Sequence, residues 1–339
     1  MDELILDPVP EPTPATVVDP EPNPDPAPAP PPKKKPGRPP KKKVDEAAVK
    51  RFGIVTTPIS LANDIELQYM NPSAFKKVFL MLKKYKVSDV DLDFGHDGMR
   101  IVTPDQLKKS DIFIYVHGKE MNHYYCAAPM ILRVSRAAID RVLMPINKEN
   151  FSMVIEVAAG ATTSFRVTLR NESRKTTIST PVNMTKHVEI PVRPVLNDAE
   201  YPLSFTIQSK QFKEDIRNTM KGIQVISFQK VHGSPLQIRA NGHNGADPCL
   251  SYEEINMVDR LDPLDVLNVS LCTEHISPFT DSIVGDSVTI SIDPVLPTSF
   301  KSDVDKYDTG YAITVKVYTN IRAMAAPELE NGNVDGVAI

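Results

Sequence analysis

The sequence contains no tryptophan and only three cysteines, Cys126, Cys249 and Cys272, in 339 residues. The cysteines are far apart and form no Cys-x-x-Cys pair, which argues against a disulfide framework or a zinc finger and is typical of a reducing compartment. No apolar run approaches the ~18 residues of a membrane-spanning helix, so we expect no association with a membrane. The first residues also lack the basic region and apolar run of a signal peptide.

Motifs of catalysis are missing as well. The sequence has no P-loop, no Gly-x-Ser-x-Gly elbow and no dinucleotide-binding glycine pattern. Its seven histidines are scattered, with no i, i+4 pair. His96-Asp97 adjoins an Asp-Gly turn and is typical of a solvated hairpin, and His243 with Cys249 lacks a second pair of ligands. The sequence therefore predicts no enzyme, no cofactor and no metal site.

The first 50 residues have an unusual composition. The first 32 contain seven acidic residues and no basic one, and 15 of the chain's 31 prolines precede residue 41. A segment this rich in proline cannot form the hydrogen-bonded pairs of a sheet or bury a hydrophobic core. We therefore predict that residues 1–50 are a disordered arm, partly in the polyproline II conformation.

A basic block within this arm has the form of an AT-hook. Its core is Pro36-Gly37-Arg38-Pro39-Pro40, and prolines on both sides keep such a backbone extended. We expect Arg38 to enter the minor groove of A·T-rich DNA, where the negative potential is strongest. The lysines that flank the core would neutralise phosphates, and they are Lys33, Lys34, Lys35, Lys41, Lys42 and Lys43. A nuclear-localisation signal or a general polyanion-binding patch is the alternative.

The body, from Arg51 onward, has nearly balanced charge, with 34 acidic and 31 basic residues. It can bind DNA only if its positive charge is gathered on one surface. Its length suits two medium domains. Fifteen short segments rich in Val, Ile, Thr, Phe and Tyr alternate roughly with period two, which predicts a body dominated by strands.

Four helices are predicted between these strands, at residues 72–85, about 135–144, 209–220 and about 273–283. The first and third combine an apolar face with a basic stripe, the second is expected to expose Arg136 and Arg141, and the fourth is interrupted by Pro278. The cations that we predict to contact DNA from these helices are Lys76, Lys77, Lys83, Lys84, Arg136, Arg141, Lys210, Lys213, Arg217 and Lys221. The alternative is that they only solvate the helix surfaces.

The two halves of the body repeat one pattern. Leu67-Gln68-Tyr69 precedes the first helix and Phe205-Thr206-Ile207 precedes the third, and a run of strands follows each helix. The period is about 135 residues, recognisable by pattern and not by identity.

Several strings in the body resemble those of sliding clamps of the proliferating cell nuclear antigen (PCNA) class. They are Phe75-Lys76-Lys77-Val78, the hairpin from Asp93 to Ile101, Asn122-His123-Tyr124-Tyr125-Cys126, the stretch 132–144, Tyr201-Pro202-Leu203-Ser204-Phe205 and Ser209-Lys210-Gln211-Phe212. The Pro-Gly-Arg-Pro-Pro-Lys-Lys string ahead of the body resembles the string that precedes the body in clamp-like proteins of large cytoplasmic DNA viruses related to African swine fever virus. The resemblance covers roughly residues 60–320, and its motifs are diffuse.

This resemblance implies an α+β fold, the DNA clamp, with two similar domains of curved antiparallel sheet that each carry two helices. The expected boundaries are the arm at 1–50, domain 1 at 51–182, a connector at 183–200, domain 2 at 201–325 and a tail at 326–339. Three copies would close into a ring around duplex DNA. The expected place of action is the replication site in the host cytoplasm, with the nucleus and the virion left open.

The resemblance also implies that DNA polymerase and other replication or repair enzymes dock as partners. In clamps, a groove beneath the connector receives a peptide from such enzymes. The residues that we predict for this groove are His187, Val188, Ile190, Val192, Ala326 and Pro327. The competing hypothesis is a monomeric DNA-binding protein of the same fold, which acts as a processivity, late-transcription or virion architectural factor mainly through its basic arm.

Overall fold

The computed structural model describes residues 53–146, 151–187, 196, 201–219, 222–241, 248–253, 255–282, 285–306 and 310–320. Residue contacts divide the chain into the units Met1–Glu46 and Ala47–Ile339, and all described residues belong to the second unit. The predicted arm with its AT-hook-like block, and the predicted tail, lie outside the described residues.

The described residues form two halves with the same order of elements. The first half contains β1 (Asn63–Tyr69), α1 (Pro72–Lys84), β2 (Asp89–Gly95), β3 (Gly98–Pro104), β4 (Ser110–His117), a 3-10 helix (Gly118–Glu120), β5 (His123–Cys126), β6 (Met130–Ser135), α2 (Arg136–Leu143), β7 (Phe151–Ala158), β8 (Ser164–Asn171) and β9 (Thr176–Thr185). The second contains β10 (Leu203–Gln208), α3 (Ser209–Thr219), β11 (Val225–Val231), β12 (Leu236–Asn241), β13 (Cys249–Tyr252), β14 (Asn256–Asp259), β15 (Val266–Cys272), α4 (Thr273–Thr280), β16 (Ser287–Ile292), β17 (Thr298–Lys306) and β18 (Tyr311–Thr319).

The strands pair antiparallel in two sheets. Fourteen of them follow the order β14-β10-β16-β17-β18-β4-β3-β2-β6-β9-β8-β7-β1-β5, and the other four follow the order β13-β12-β11-β15. The two halves join where β18 pairs with β4, from Ile313 opposite Val116 to Thr319 opposite Ser110. This arrangement, with two helices in each half, confirms the predicted α+β class.

The core lies between the sheets and the helices, because strands and helices each present one apolar face. In β8, Phe165, Val167 and Leu169 are buried, while Arg166 and Arg170 point to the other side of the strand and are exposed. The predicted inner face of α1 is confirmed, since each of its four residues is at most 3% exposed: Phe75, Val78, Phe79 and Leu82. No helix in the described ranges is long and apolar enough to cross a membrane.

The sequence predicts a strand at residues 175–180, and strand β9 is longer, because it continues through Pro181 to Thr185. The Met184 N–H donates to the Thr163 carbonyl at 2.8 Å, so alternate residues from Met184 back to Ile178 direct their backbone groups toward β8. Pro181 belongs to the other set, and its missing N–H is on the side away from β8. A proline in that position costs the β8–β9 ladder no hydrogen bond.

The segment ahead of β1 is held against the body by Glu66, whose side chain is buried. Its carboxylate accepts hydrogen bonds from the Ile59 and Ser60 N–H groups at 2.6 and 2.8 Å and from Asn63 Nδ2 at 2.9 Å. His123 Nε2 lies 2.9 Å from the same carboxylate. Burial alone would raise the pKa of Glu66, but these hydrogen bonds outweigh it and hold the pKa below its ordinary value of 4.5.

Replacing Glu66 with Gln should therefore destabilise the protein by about 2 kcal/mol, because a charged acceptor of several hydrogen bonds is lost. A lowered pKa stabilises the fold above pH 4.5, and this stabilisation is lost as the pH falls below that value. Urea unfolding of the Glu66→Gln variant should thus show a smaller loss of stability in acid than the wild type. Glu214→Gln, at an exposed position on α3, is the control and should change little. Equal acid sensitivity in wild type and Glu66→Gln would contradict this account.

Candidate nucleic-acid interface

The four helices form one row, in the order α2, α1, α4, α3, because α1 packs against both α2 and α4, and α4 packs against α3. Asp281, just after α4, joins the halves of this row. Its carboxylate lies 3.3 Å from Lys84 Nζ of α1, and its carbonyl accepts a hydrogen bond from Lys213 Nζ of α3 at 3.1 Å. The Tyr85 hydroxyl donates to the His275 carbonyl at 3.2 Å. We call this surface the helix row.

Five of the predicted cations stand exposed on the helix row, at least one on each of α1, α2 and α3. In the described part of the chain none of the five has an ion pair, and they are Lys77, Lys83, Arg141, Lys210 and Arg217. Lys84 and Lys213 are partly committed to Asp281, as described above. Glu214 of α3 and Glu274 of α4 are also exposed on the helix row and dilute its positive charge. These five cations can therefore contact phosphates without first breaking an ion pair with another described residue.

Two of the predicted cations have structural contacts instead. The Arg136 side chain is only 15% exposed, donates from Nε to the Val87 carbonyl at 2.7 Å and pairs with Asp140 one turn along α2. The prediction that Arg136 is exposed is wrong, because α2 is short and its first turn lies against the start of β2. Lys76 Nζ donates to the carbonyls of Met144 and Ile146 after α2, which ties α1 to α2. The last predicted cation, Lys221, lies outside the described residues.

Helix α4 is the least basic of the four, as its sequence predicts. It ends at Thr280, three residues earlier than expected, with Pro278 inside it. His275 is buried, and its Nε2 lies 3.3 Å from the Glu274 carboxylate. A cleft of about 630 Å³ separates α4 from α3, and its lining includes Lys213, Arg217, Asn218, Ser277, Thr280 and Asp281.

The predicted partner groove is described only in part. His187 is 43% exposed, with Nδ1 3.4 Å from the Asp91 carboxylate, whereas Val188, Ile190, Val192, Ala326 and Pro327 lie outside the described residues. Leu196 of the predicted connector is described, and its carbonyl accepts a hydrogen bond from the Tyr318 hydroxyl at 3.2 Å. Tyr318 also contacts the Phe113 ring edge-on, with ring centroids 5.3 Å apart.

Two exposed apolar residues flank the end of β18 near that contact. Leu107 lies on the turn between β3 and β4, which reaches β18 through the hydrogen bond from the Asn320 N–H to the Lys109 carbonyl. Val295 lies on the turn between β16 and β17, and β17 pairs with β18 beside it. Neither residue could be predicted from the sequence, because only the strand pairing brings the two turns to one edge. Within the described ranges, no three His, Cys, Asp or Glu side chains are placed to hold a metal.

The structure is similar to those of PCNA sliding clamps. PCNA of Entamoeba histolytica superposes with a TM-score of 0.65 at 14% identity, over 77% of this chain and all of that chain. A PCNA2–PCNA3 complex of Sulfolobus tokodaii gives 0.64 at 17% identity, over 76% of this chain and all of that one. The chain therefore has the fold of a DNA clamp, as predicted.

In sequence, the chain is similar to a protein of African swine fever virus whose own description is "uncharacterized". The proteins of the isolates Pig/Kenya/KEN-50/1950 and Warthog/Namibia/Wart80/1980 are each 23% identical to it over 287 residues. Those residues cover 80% of this chain and 93% of each relative. No family model matches the chain. The predicted resemblance to clamp-like proteins of these viruses is thus confirmed.

Proposed function

We propose that this protein is a DNA sliding clamp, a scaffold without catalysis of its own. Three copies would close into a ring with the helix rows facing the hole, and duplex DNA would pass through it. The observation that carries the proposal is the helix row itself, on which exposed cations without ion pairs in the described residues extend from α2 to α3.

The chemistry of these cations suits a clamp. Exposed lysine and arginine side chains bind phosphates without reading bases, and each contact is weak and depends on salt. Weak contacts are sufficient for a ring, because a ring closed around the duplex stays on the DNA even while individual contacts break. The contacts at Asp281 keep the two halves of the row together without engaging the five exposed cations.

The surface around the end of β18 is our candidate for docking replication and repair enzymes. Leu107 and Val295 are 57% and 86% exposed there, beside Leu196 of the predicted connector. The two exposed apolar side chains lie on turns that the sheet holds in place, so they can bind a short apolar peptide. By likeness to the viral relatives, we infer that the clamp acts at viral DNA replication in the host cytoplasm.

The test is retention on closed DNA. The full chain is loaded onto circular duplex DNA that carries a single nick. At high salt it should stay on the intact circle. At the same salt concentration it should dissociate within minutes once the circle is cut to a linear molecule. Light scattering should give the mass of three subunits. A monomer that binds linear and circular DNA equally would favour the competing hypothesis, in which the arm supplies the affinity.

Binding of A·T-rich DNA by the basic block of the arm can be tested separately. Arg38→Ala should weaken binding to A·T-rich duplex about tenfold and leave G·C-rich duplex nearly unchanged, because only the minor-groove contact is removed. Lys35→Ala, the matched control, should weaken both duplexes equally. These constants are measured by titration of short duplexes at fixed salt. If Arg38→Ala leaves the preference for A·T-rich DNA unchanged, the block is not an AT-hook.

A further inference from the structure

The surface around the end of β18, which we call the docking surface, has one exposed apolar residue on each of two turns. They are Leu107, between β3 and β4, and Val295, between β16 and β17. Strand β18 separates the turns, because Thr319 near its end lies opposite Ser110 of β4 on one side and Thr298 of β17 on the other. The two strands beside β18 are about 10 Å apart, which is two strand spacings. One short peptide can therefore contact both apolar residues.

The turn between β3 and β4 is held in shape by Asp105. Its carboxylate accepts a hydrogen bond from the Lys109 N–H at 2.7 Å. Its carbonyl accepts one from the Lys108 N–H at 3.0 Å, and its own N–H donates to the Ser110 carbonyl at 2.8 Å. Lys108 has a left-handed backbone, with φ at 55°. The backbone of this turn therefore holds Leu107 and the two lysines that follow it in place.

The turn between β16 and β17 is held in a similar way by Asp293. The Asp293 carboxylate accepts hydrogen bonds from the Val295 N–H at 2.6 Å and from the Leu296 N–H at 2.7 Å. The Tyr201 hydroxyl donates to the Pro297 carbonyl at 2.7 Å, which holds the end of the same turn. In each turn, the carboxylate of an aspartate therefore bonds to the backbone of the turn itself.

The charge beside Leu107 is positive and free to bind a ligand. Lys108 and Lys109 are exposed, and neither has an ion pair within the described ranges. The acidic groups of the two turns are Asp105 and Asp293, and the carboxylates of both accept backbone hydrogen bonds. The two ammonium groups can therefore pair with carboxylates from another molecule without losing a partner among the described residues.

The other charges on this face of the sheet occur in pairs of opposite sign. Asp111 of β4 and Lys316 of β18 lie on the same face of neighbouring strands, two residues apart in register. On the next strand, β17, Lys301 Nζ lies 3.5 Å from the Asp303 carboxylate. Near the end of β18, the described residues therefore leave only the two lysine charges of the turn unbalanced.

We propose that the docking surface binds apolar peptides that carry acidic residues at the end lying over the turn between β3 and β4. This inference rests on the docking surface of the proposed function and adds the chemistry of its ligand. Apolar side chains of the peptide would cover Leu107 and Val295, while its carboxylates would pair with Lys108 and Lys109. A peptide with a basic flank would instead meet like charge, so the lysines discriminate among apolar peptides.

Selection from a random library of short peptides, with the full chain as bait at low salt, tests this inference. The peptides selected by the wild type should carry net negative charge. Fluorescence polarisation should show that the double variant Leu107→Ser, Val295→Ser binds them at least about tenfold more weakly, because it removes the apolar area that they cover. Both side chains are exposed, so the variant should fold normally.

The double variant Lys108→Glu, Lys109→Glu should bind the same peptides about tenfold more weakly, because one exposed ion pair changes an affinity by up to about fivefold and two are reversed here. The difference should shrink as the salt concentration is raised, since salt screens exposed charges. Lys175→Glu is the matched control. Lys175 is an exposed lysine with φ at 53° on the turn between β8 and β9, and its reversal should leave the affinity unchanged.

The outcomes separate this inference from the proposed function. Selected peptides that need Leu107 and Val295 but are neutral or basic overturn the inference and leave the docking surface. Acidic peptides that bind Lys108→Glu, Lys109→Glu as tightly as the wild type do the same. If no peptide is selected, or if none of those selected needs Leu107 and Val295, the docking surface and the inference are both wrong, while the ring is judged separately by light scattering.

Discussion

Ile178→Asp should convert the protein from a trimer to a monomer. In the proposed ring, another copy would cover the edge of β9 that is open in the described residues, and Ile178 lies on the core-facing side of that strand, opposite the buried Leu169. The substitution would therefore set a carboxylate in an apolar contact without a partner. Burying an unpaired charge costs several kcal/mol. A cost of about 3 kcal/mol at each contact between copies weakens that contact more than hundredfold. Light scattering across a dilution series measures the shift.

The same variant should fold normally, because Ile178 is 42% exposed within one copy. Its thermal midpoint, measured where wild type and variant are both monomeric, should change little. Val258→Asp is the matched control, since Val258 is 48% exposed on edge strand β14, whose counterpart β5 takes no part in the β18–β4 pairing that joins the halves. It should remain trimeric. A trimeric Ile178→Asp, or a Val258→Asp that dissociates equally, would place the contact between copies elsewhere than on β9.

The elements with one strong apolar face could be predicted from the sequence. Phe212 and Ile216 of α3 are buried, as are the four inner residues of α1. Strand β17 was missed because Lys301, Ser302 and Asp303 obscure its alternation, although Phe300 and Val304 in it are buried. Strand β6 was missed because its apolar residues run directly into α2 and were included in one stretch, 132–144.

Long-range contacts account for most of what the sequence left out of the site. Nothing near Arg136 in sequence indicates the Val87 carbonyl that it binds, and Asp281 joins two helices from different halves. The edge of β9 that β6 leaves open likewise becomes visible only when the strand pairing is known. By contrast, the match of Leu67-Gln68-Tyr69 with Phe205-Thr206-Ile207 was visible in the sequence, and it aligns the two halves.

The double variant Lys77→Glu, Arg217→Glu should lower the affinity for linear duplex DNA strongly without dissociating the ring, and a ring already closed around circular DNA should stay on it. Both side chains are exposed on the helix row, on α1 and on α3, so their reversal affects both halves of each copy. Each phosphate contact contributes about 0.9 to the slope of log affinity against log salt, so a ring of three copies, which loses two contacts in each copy, should show a slope lower by up to about five. Over a fourfold range of salt this corresponds to up to about a thousandfold in affinity.

The control reverses the same charge on the opposite side of the sheet. Arg166 and Arg170 are exposed on β8, between residues that point into the core, so they face away from the helix row. Arg166→Glu, Arg170→Glu should leave the salt slope and the affinity for linear duplex close to wild type. If the two double variants lose DNA equally, net charge and not the helix row determines binding. If neither loses it, the arm holds the DNA and the exposed cations of the row only solvate the helices.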